Sequence, residues 1–235
     1  MRLDDLDFIL PPEQIAQTPL ADRSASRMLT VDRRTGKFHD ANFTDLASEL
    51  GPRDILVLNN TKVFPARLFG QIETGAAIEM LLTEEIEPLV WDAVARPGKR
   101  LAPGKRVIFD ETFSAVVIEK LDGGRVRFRF ETDGDLEAEI DRLGKTPLPP
   151  YITPDEGKRE FDRERYQTVF AAERGAIAAP TAGLHFTDEI LKRIRANGTE
   201  IVELTLHVGY GTFEPVRVEE LAEHPLQLAA IAPSQ

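Results

Sequence analysis

The pattern of hydrophobic positions along the chain changes twice and divides it into three stretches of different structure. Met28–Asp32 alternates as a strand does. Arg33 to Lys37 supply a turn containing Gly36, and a second short strand follows. Thr44 is placed to cap a helix over 45–50, which Gly51 and Pro52 would stop. Ile55–Leu58 is a continuous apolar run ending in Asn59, Asn60, Thr61 and Lys62. A fully apolar strand predicts burial on both faces, as in a parallel sheet.

After Pro65 the apolar runs become short and are separated by turn residues. Strands are expected over 67–73, 78–83, 90–96, 107–109, 113–119 and 125–130, with turns at Gly75, Gly98, Gly104 and Gly123-Gly124. Many short strands at close spacing predict an antiparallel sheet closing into a small barrel or sandwich. A short helix over 135–143 ends at Gly144, and Pro147, Pro149 and Pro150 form a stiff exit.

From about Pro154 the pattern is α/β: a helix over 162–171, a buried strand over 176–179, a second helix, and a strand over 201–206. The second helix has Thr187 as its N-cap, Asp188 and Glu189 in the first turn, basic residues late, and one apolar face of Ile190, Leu191 and Ile194. The fold class expected is an α/β domain with a mostly parallel sheet, interrupted by an inserted antiparallel β-barrel. Residues 1–64 and 148–235 would form the first and residues 65–147 the second.

Composition narrows the chemistry. The 235 residues are 42% hydrophobic and include no cysteine, which excludes disulfides, thiolate nucleophiles and Cys-ligated zinc. The N-terminus carries three Asp in its first seven residues and no apolar segment of the secretory kind. No apolar run reaches the roughly 20 residues that span a bilayer. The expectation is a soluble, cytoplasmic, monomeric protein with no membrane partner. Net charge is −11, against indiscriminate nucleic-acid binding but compatible with a local basic patch.

In the predicted βαβ unit the strands are parallel and the loops that follow them, 180–186 and 207–213, leave the same sheet edge. Ligands of open α/β sheets bind there. His185 and His207 thereby become candidates to face one crevice, with histidine suited to proton transfer near neutral pH. Thr181, Gly183, Gly209, Gly211, Thr212 and Phe213 are the loop residues expected to approach a ligand. Each loop alone reads equally well as an ordinary turn with a solvated histidine. No ligand cluster points to a metal. His39 and His224 have no such context and are expected to be structural.

Ala178–Thr187 (AAPTAGLHFT) and 205–216 (TLHVGYGTFEPV) resemble the signature loops of the S-adenosylmethionine:tRNA ribosyltransferase-isomerases of queuosine synthesis. Phe8–Arg27, Leu58–Gly70, Pro147–Ile152 and Asp162–Ala171 resemble further segments of that family, in the family's order. Members often carry Asp and Arg where this chain has Asn60 and Lys62. The resemblance implies an α/β domain with an inserted barrel. It also implies a reaction: the ribosyl part of S-adenosylmethionine passes to 7-aminomethyl-7-deazaguanine at the tRNA wobble position and rearranges to epoxyqueuosine, with release of adenine and methionine. No separate cofactor or metal is implied; S-adenosylmethionine is a substrate.

That reaction needs a base beside the sulfonium, a role for which His185 or His207 is the candidate. Asn59, Asn60 and Thr61, with Arg67 in the same segment, are candidates to contact base or ribose. Tyr166 is a candidate to stack on a nucleobase, although a helix aromatic is more often core. For tRNA, residues 96–106 hold Arg96, Lys99, Arg100, Lys105 and Arg106 with no acidic residue between them, and Arg125, Arg127 and Arg129 share one strand face. A charge run is ordinarily a solvated surface, but on so acidic a chain this concentration reads as an RNA-facing patch.

The resemblance breaks near His224. Family members continue with a Met-His-containing stretch and a further α/β segment, whereas 225–235 are not recognisable as that continuation. Strand 201–206 is therefore expected to leave a sheet edge and apolar surface exposed. Two other readings follow: an inactive member that retains tRNA binding, and a different S-adenosylmethionine or nucleoside enzyme on this scaffold.

Overall fold

The computed structural model describes residues 1–213, 216, 218–223 and 230–231. His224 and most of residues 225–235 lie outside the described residues. The chain divides into two units, one of residues 1–63, 149–154 and 164–235, the other of residues 64–148 and 155–163.

The first unit begins with an antiparallel hairpin, β1 (Arg27–Val31) and β2 (Phe38–Asn42). A 3-10 turn over Phe43–Asp45 runs into α1 (Leu46–Glu49). This helix is shorter than the expected 45–50, and its cap is a reciprocal box. The Asn42 backbone N–H donates to the Asp45 carboxylate, and Asp45's backbone donates to the Asn42 side chain, so Thr44 is not the cap. Then come β3 (Ile55–Asn59) and β4 (Thr61–Val63), one run of chain kinked at Asn60.

The second unit holds β5 (Arg67–Ile72), β6 (Ala77–Glu87), β7 (Val90–Arg96), β8 (Arg106–Ile108), β9 (Phe113–Lys120) and β10 (Arg125–Thr132). All six lie within about two residues of the expected strands at their starts, and they close into an antiparallel barrel in the order β10-β7-β6-β5-β8-β9. Alternation explains the closure. In β10, Val126, Phe128 and Phe130 are buried while Arg125 and Arg129 are exposed, and β9 does the same with Phe113, Ala115 and Val117. Phe113 and Phe130 stack inside, with centroids 5.4 Å apart. Next follows α2 (Leu136–Leu143), capped by Asp135, which accepts from the Ala138 N–H at 2.8 Å.

α3 (Arg159–Arg165) is the next helix. It starts earlier and stops sooner than the expected 162–171. Arg159 donates to the carbonyls of Arg142 and Gly144, and Arg163 to that of Asp141. These contacts explain why residues 155–163 group with the barrel.

The chain re-enters the first unit as β11 (Glu173–Ala176), α4 (Asp188–Ala196), β12 (Glu200–Leu204), β13 (Leu206–His207) and β14 (Ala230–Ile231). α4 is capped as its sequence requires, the Thr187 hydroxyl accepting from the Ile190 N–H at 3.3 Å. Its face of Ile190, Leu191 and Ile194 packs with Ala47, Leu58 and Phe186 into the core of this unit. Each buried Leu, Ile or Phe side chain there stabilises by roughly 1.5–3 kcal/mol.

The parallel sheet differs from the expected βαβ pair. β12 is parallel to β3 and β11 is parallel to β4, so the two strands flank the kinked β3–β4 run instead of each other. The buried run 176–179 is strand only at Ala176; Ile177, Ala178 and Ala179 continue as buried irregular chain. Nor is Ile55–Leu58 buried on both faces. Leu58 enters the core, but Ile55 and Val57 are 60% and 53% exposed, beside the exposed Val202 and Leu204 of β12. One face of this pair is covered by α1 and α4; the other is an apolar open surface.

Candidate functional site

The kink at Asn60 is where β3 hands its pairing from β12 to β11. The Asn60 N–H donates to the Leu204 carbonyl at 3.0 Å, and the Asn60 carbonyl accepts from Ala172 and Glu173. Side-chain amides hold the break. Asn59 Nδ2 donates to the Leu206 carbonyl at 2.9 Å, and its Oδ1 accepts from the N–H groups of Leu206 and Thr61. Asn60 Nδ2 donates to Glu203 Oε2 at 3.2 Å, and its Oδ1 accepts from the Thr205 hydroxyl at 2.7 Å. Both amides are thus engaged within the protein.

Immediately beyond the kink, Thr61 is 1% exposed and its hydroxyl lies 2.8 Å from His207 Nδ1. The imidazole ring lies against Gly175, where a Cβ would fall 2.6 Å from ring atoms. Only glycine admits the ring at that spacing. Thr61 and Gly175 therefore fix His207 from two strands of the sheet, and its Nε2 is the ring nitrogen left for other contacts.

His185 is held elsewhere. It ends a 3-10 turn over Thr181–His185 and packs on Phe43, with ring centroids 5.3 Å apart. Gly183 of the same turn is buried, and a Cβ there would meet Thr168 and Phe170 at 2.8 and 3.0 Å, so its small size serves packing inside the unit.

The loops after β11 and β13 meet at a cavity of about 440 Å³. Thr181 comes from the first loop and Thr212 and Phe213 from the second; Tyr166, Ala178, Ala179 and the segment Pro149–Tyr151 complete the wall. Tyr166 is buried, and burial pushes its hydroxyl up to about 12, offset in part by a hydrogen bond with the Ala179 backbone. It is a neutral phenol across the physiological range, a hydrogen-bonding wall and not a base. Two tyrosines, a phenylalanine and two prolines with a few hydroxyls suit a flat heteroaromatic ring. Neither histidine is part of this lining. Gly209 precedes and Gly211 lies within the 3-10 turn Tyr210–Phe213 that carries Thr212; a Cβ at Gly209 would meet nothing.

The remaining candidates lie in the barrel unit. The Arg67 guanidinium is paired with Glu79, and Arg106 with Glu131. Arg96, Lys99, Arg100 and Lys105 are exposed and make no ion pair among the described residues. Arg127 is bound by Asp92 and Glu119, and Arg129 lies 3.9 Å from Glu87, so that strand face is largely compensated. No group of three His, Cys, Asp or Glu that could hold a metal occurs among the described residues, and no helix there is long and apolar enough to cross a membrane.

Residues 3–231 match the profile of a family described as queuosine biosynthesis protein, so the match runs past His224, where the resemblance was expected to break. The chain belongs to the queuosine biosynthesis protein family. Among its relatives, S-adenosylmethionine:tRNA ribosyltransferase-isomerase of Halothermothrix orenii is 47% identical over 229 residues, and the protein of the same description from Citrifermentans bemidjiense is 50% identical over 229 residues. Each alignment covers 96% of this chain and 66% of the relative, so the chain spans somewhat under two thirds of their length. A crystal structure of S-adenosylmethionine tRNA ribosyltransferase from Thermotoga maritima is 31% identical, covering 88% of this chain and 59% of that one, with a TM-score of 0.36. At that score the superposition carries no structural argument. The two loops whose sequences resemble that family's signature stretches are the ones that meet at the cavity.

The sequence pointed to these loops by their glycines and histidines but gave no sign of Tyr151 or of the Thr61–His207–Gly175 arrangement. Thr61 and His207 lie 146 residues apart in the chain, and no local pattern reports such a pair.

Proposed function

We propose that this chain acts as an S-adenosylmethionine:tRNA ribosyltransferase-isomerase, moving the ribosyl group to 7-aminomethyl-7-deazaguanine in tRNA with release of adenine and methionine. The observation that supports it most is the meeting of both signature loops at one aromatic-walled cavity, of about 440 Å³, with room for a nucleobase. In this reading Tyr166, Tyr151 and Phe213 hold a base, with Thr181 and Thr212 giving polar contacts. His207 removes the proton beside the sulfonium, whose charge already acidifies that carbon. This requires the tautomer in which Nδ1–H donates to the Thr61 hydroxyl, leaving the Nε2 lone pair free. Asn59 and Asn60 shape the site by holding the strand break. His185, packed on Phe43, is the alternative base. Arg96, Lys99, Arg100 and Lys105 contact tRNA phosphates, and the protein works in the cytoplasm as a monomer. Residues 65–147 serve as a separable inserted domain.

The test is adenine release from S-adenosylmethionine in the presence of tRNA bearing 7-aminomethyl-7-deazaguanine, beside tRNA bearing guanine. Release with the modified tRNA alone is expected, together with loss of at least a hundredfold in His207→Ala, the lower range for a general base. Adenine release unchanged in both His207→Ala and His185→Ala would remove the histidines from the mechanism. A folded sample that binds tRNA without releasing adenine would favour the inactive reading.

A further inference from the structure

We infer that Arg23 and Arg165 form an oxyanion site, for a phosphate diester or a carboxylate, where the N-terminal segment meets the end of α3. The geometry is reciprocal. Arg23 Nη1 donates to the Gln167 carbonyl at 2.8 Å, and Arg165 Nη2 donates to the Leu20 carbonyl at 2.6 Å. Each guanidinium is tied down by a neutral acceptor contributed by the other's segment, so both are held in one seam. Arg23 is further fixed by its 3-10 turn, capped by Asp22, which accepts from the Ser24 N–H at 2.9 Å.

What the seam lacks is an anion. A guanidinium has five N–H donors. Neither arginine makes an ion pair among the described residues, and Arg165 Nε is buried with no partner. A buried charged donor left unsatisfied is costly and calls for an explanation. Two carboxylates belong to the surroundings. Asp22 is occupied by the Ser24 N–H and hydroxyl, and Glu164 is exposed; both act on the pair from beyond ion-pair distance. Burial holds the Arg23 guanidinium below its ordinary value, and the Arg165 charge lowers it further, so the two cations sense each other. Paired, immobilised forks with free donors match the planar geometry of carboxylate and phosphate.

The seam is also built from the segments that wall the cavity. Arg165 precedes Tyr166, and Gln17 donates to the Tyr151 carbonyl at 2.9 Å while accepting from the Thr153 N–H. The anion site stands on this geometry. Its assignment to a tRNA phosphate or to the carboxylate of S-adenosylmethionine rests on the function proposed above.

The test is phenylglyoxal labelling of the full chain, with modification at Arg23, Arg165 and the exposed Arg53 read by peptide mass spectrometry. The probes are inorganic phosphate, S-adenosylmethionine, its decarboxylated analogue and tRNA, each against chloride at equal ionic strength. The expected result is at least fivefold slower labelling of Arg23 and Arg165 with Arg53 unchanged. Protection by tRNA assigns a phosphate diester. Protection by S-adenosylmethionine but not by its decarboxylated analogue assigns the carboxylate. Protection by inorganic phosphate alone keeps the anion site and removes the substrate reading from it. The inference is overturned by no protection from any probe, by equal protection from both forms of S-adenosylmethionine alone, or by arginines that do not react before a probe is added.

Discussion

In the barrel, most paired strands are also neighbours in sequence: β5 with β6, β6 with β7, β8 with β9 and β9 with β10. In the α/β unit, β3 waits for β12 and β4 for β11, across the whole barrel sequence. The barrel is sealed by alternation, with apolar side chains in and charged ones out, and the buried Asp92, which shares the outer face with its cross-strand neighbour Arg127, is matched by it at 2.7 Å. The parallel pairs are instead stitched by the amides of Asn59 and Asn60 at a kink. Local hairpins close with little loop entropy, while distant parallel pairing must be secured by specific polar contacts. Those contacts leave the chain ends of β4, β11 and β13 gathered around His207, where chemistry is proposed.

The largest expected effect separates the two units. Phe128 is fully buried in the barrel, and Phe128→Ala should cost about 3–5 kcal/mol. In thermal unfolding followed by hydrogen exchange, protection should fall across 67–132 while residues 187–196 keep theirs. Equal loss in both would break the contrast and the proposal of a separable inserted domain. Gly175→Ala attacks the other side. The new methyl would meet the His207 ring, and displacement of about 1–3 kcal/mol is expected, with exchange rising first at β4, β11 and β13. Retained stability with a moved His207 imidazole resonance would show that the ring, and not the sheet, yields. Thr61→Val keeps shape but removes the hydroxyl partner of His207. A loss of about 1 kcal/mol in orientation corresponds to roughly fivefold slower adenine release, most of it in kcat. An unchanged rate would leave Thr61 a packing residue.

The smallest effects divide by pH. Asp110, in the barrel unit, is held below its ordinary value of 3.8, chiefly by hydrogen bonding from Arg142 and then by the Thr112 N–H. Its contribution is present above that value and is lost as pH falls below it. Tyr166 is raised from 10.0 to about 12, so the α/β unit gains from its neutral form below pH 10 and loses that gain as pH rises toward 12. Unfolding monitored by unit should show an acid limb softened by Asp110→Asn and an alkaline limb softened by Tyr166→Phe. Both limbs appearing in one unit would contradict the division.

Most of the barrel was legible in the sequence, because a strand that buries one face writes its period in adjacent residues such as Val126, Phe128 and Phe130. The α4 cap was legible for the same local reason: Thr187 and Ile190 are three residues apart. The 3-10 entry to α1 was not, since Asn42 and Asp45 form the cap that the sequence assigned to Thr44. Ile55 and Val57 misled because an apolar run looks the same whether or not something covers its second face.

What the sequence by itself determined was therefore the order and kind of elements, the inserted antiparallel barrel, the two loops of interest and the family they resemble. These are encoded at separations of a few residues, where periodicity, capping and turn chemistry act. The tertiary structure alone decided that β11 and β12 flank one kinked strand, that Asn59 and Asn60 hold the break, that His207 is pinned between Thr61 and Gly175, and that Arg23 and Arg165 each donate to a carbonyl of the other's segment. Each of those depends on groups distant in the chain, brought within hydrogen-bond or contact range by packing, and no local pattern carries that information.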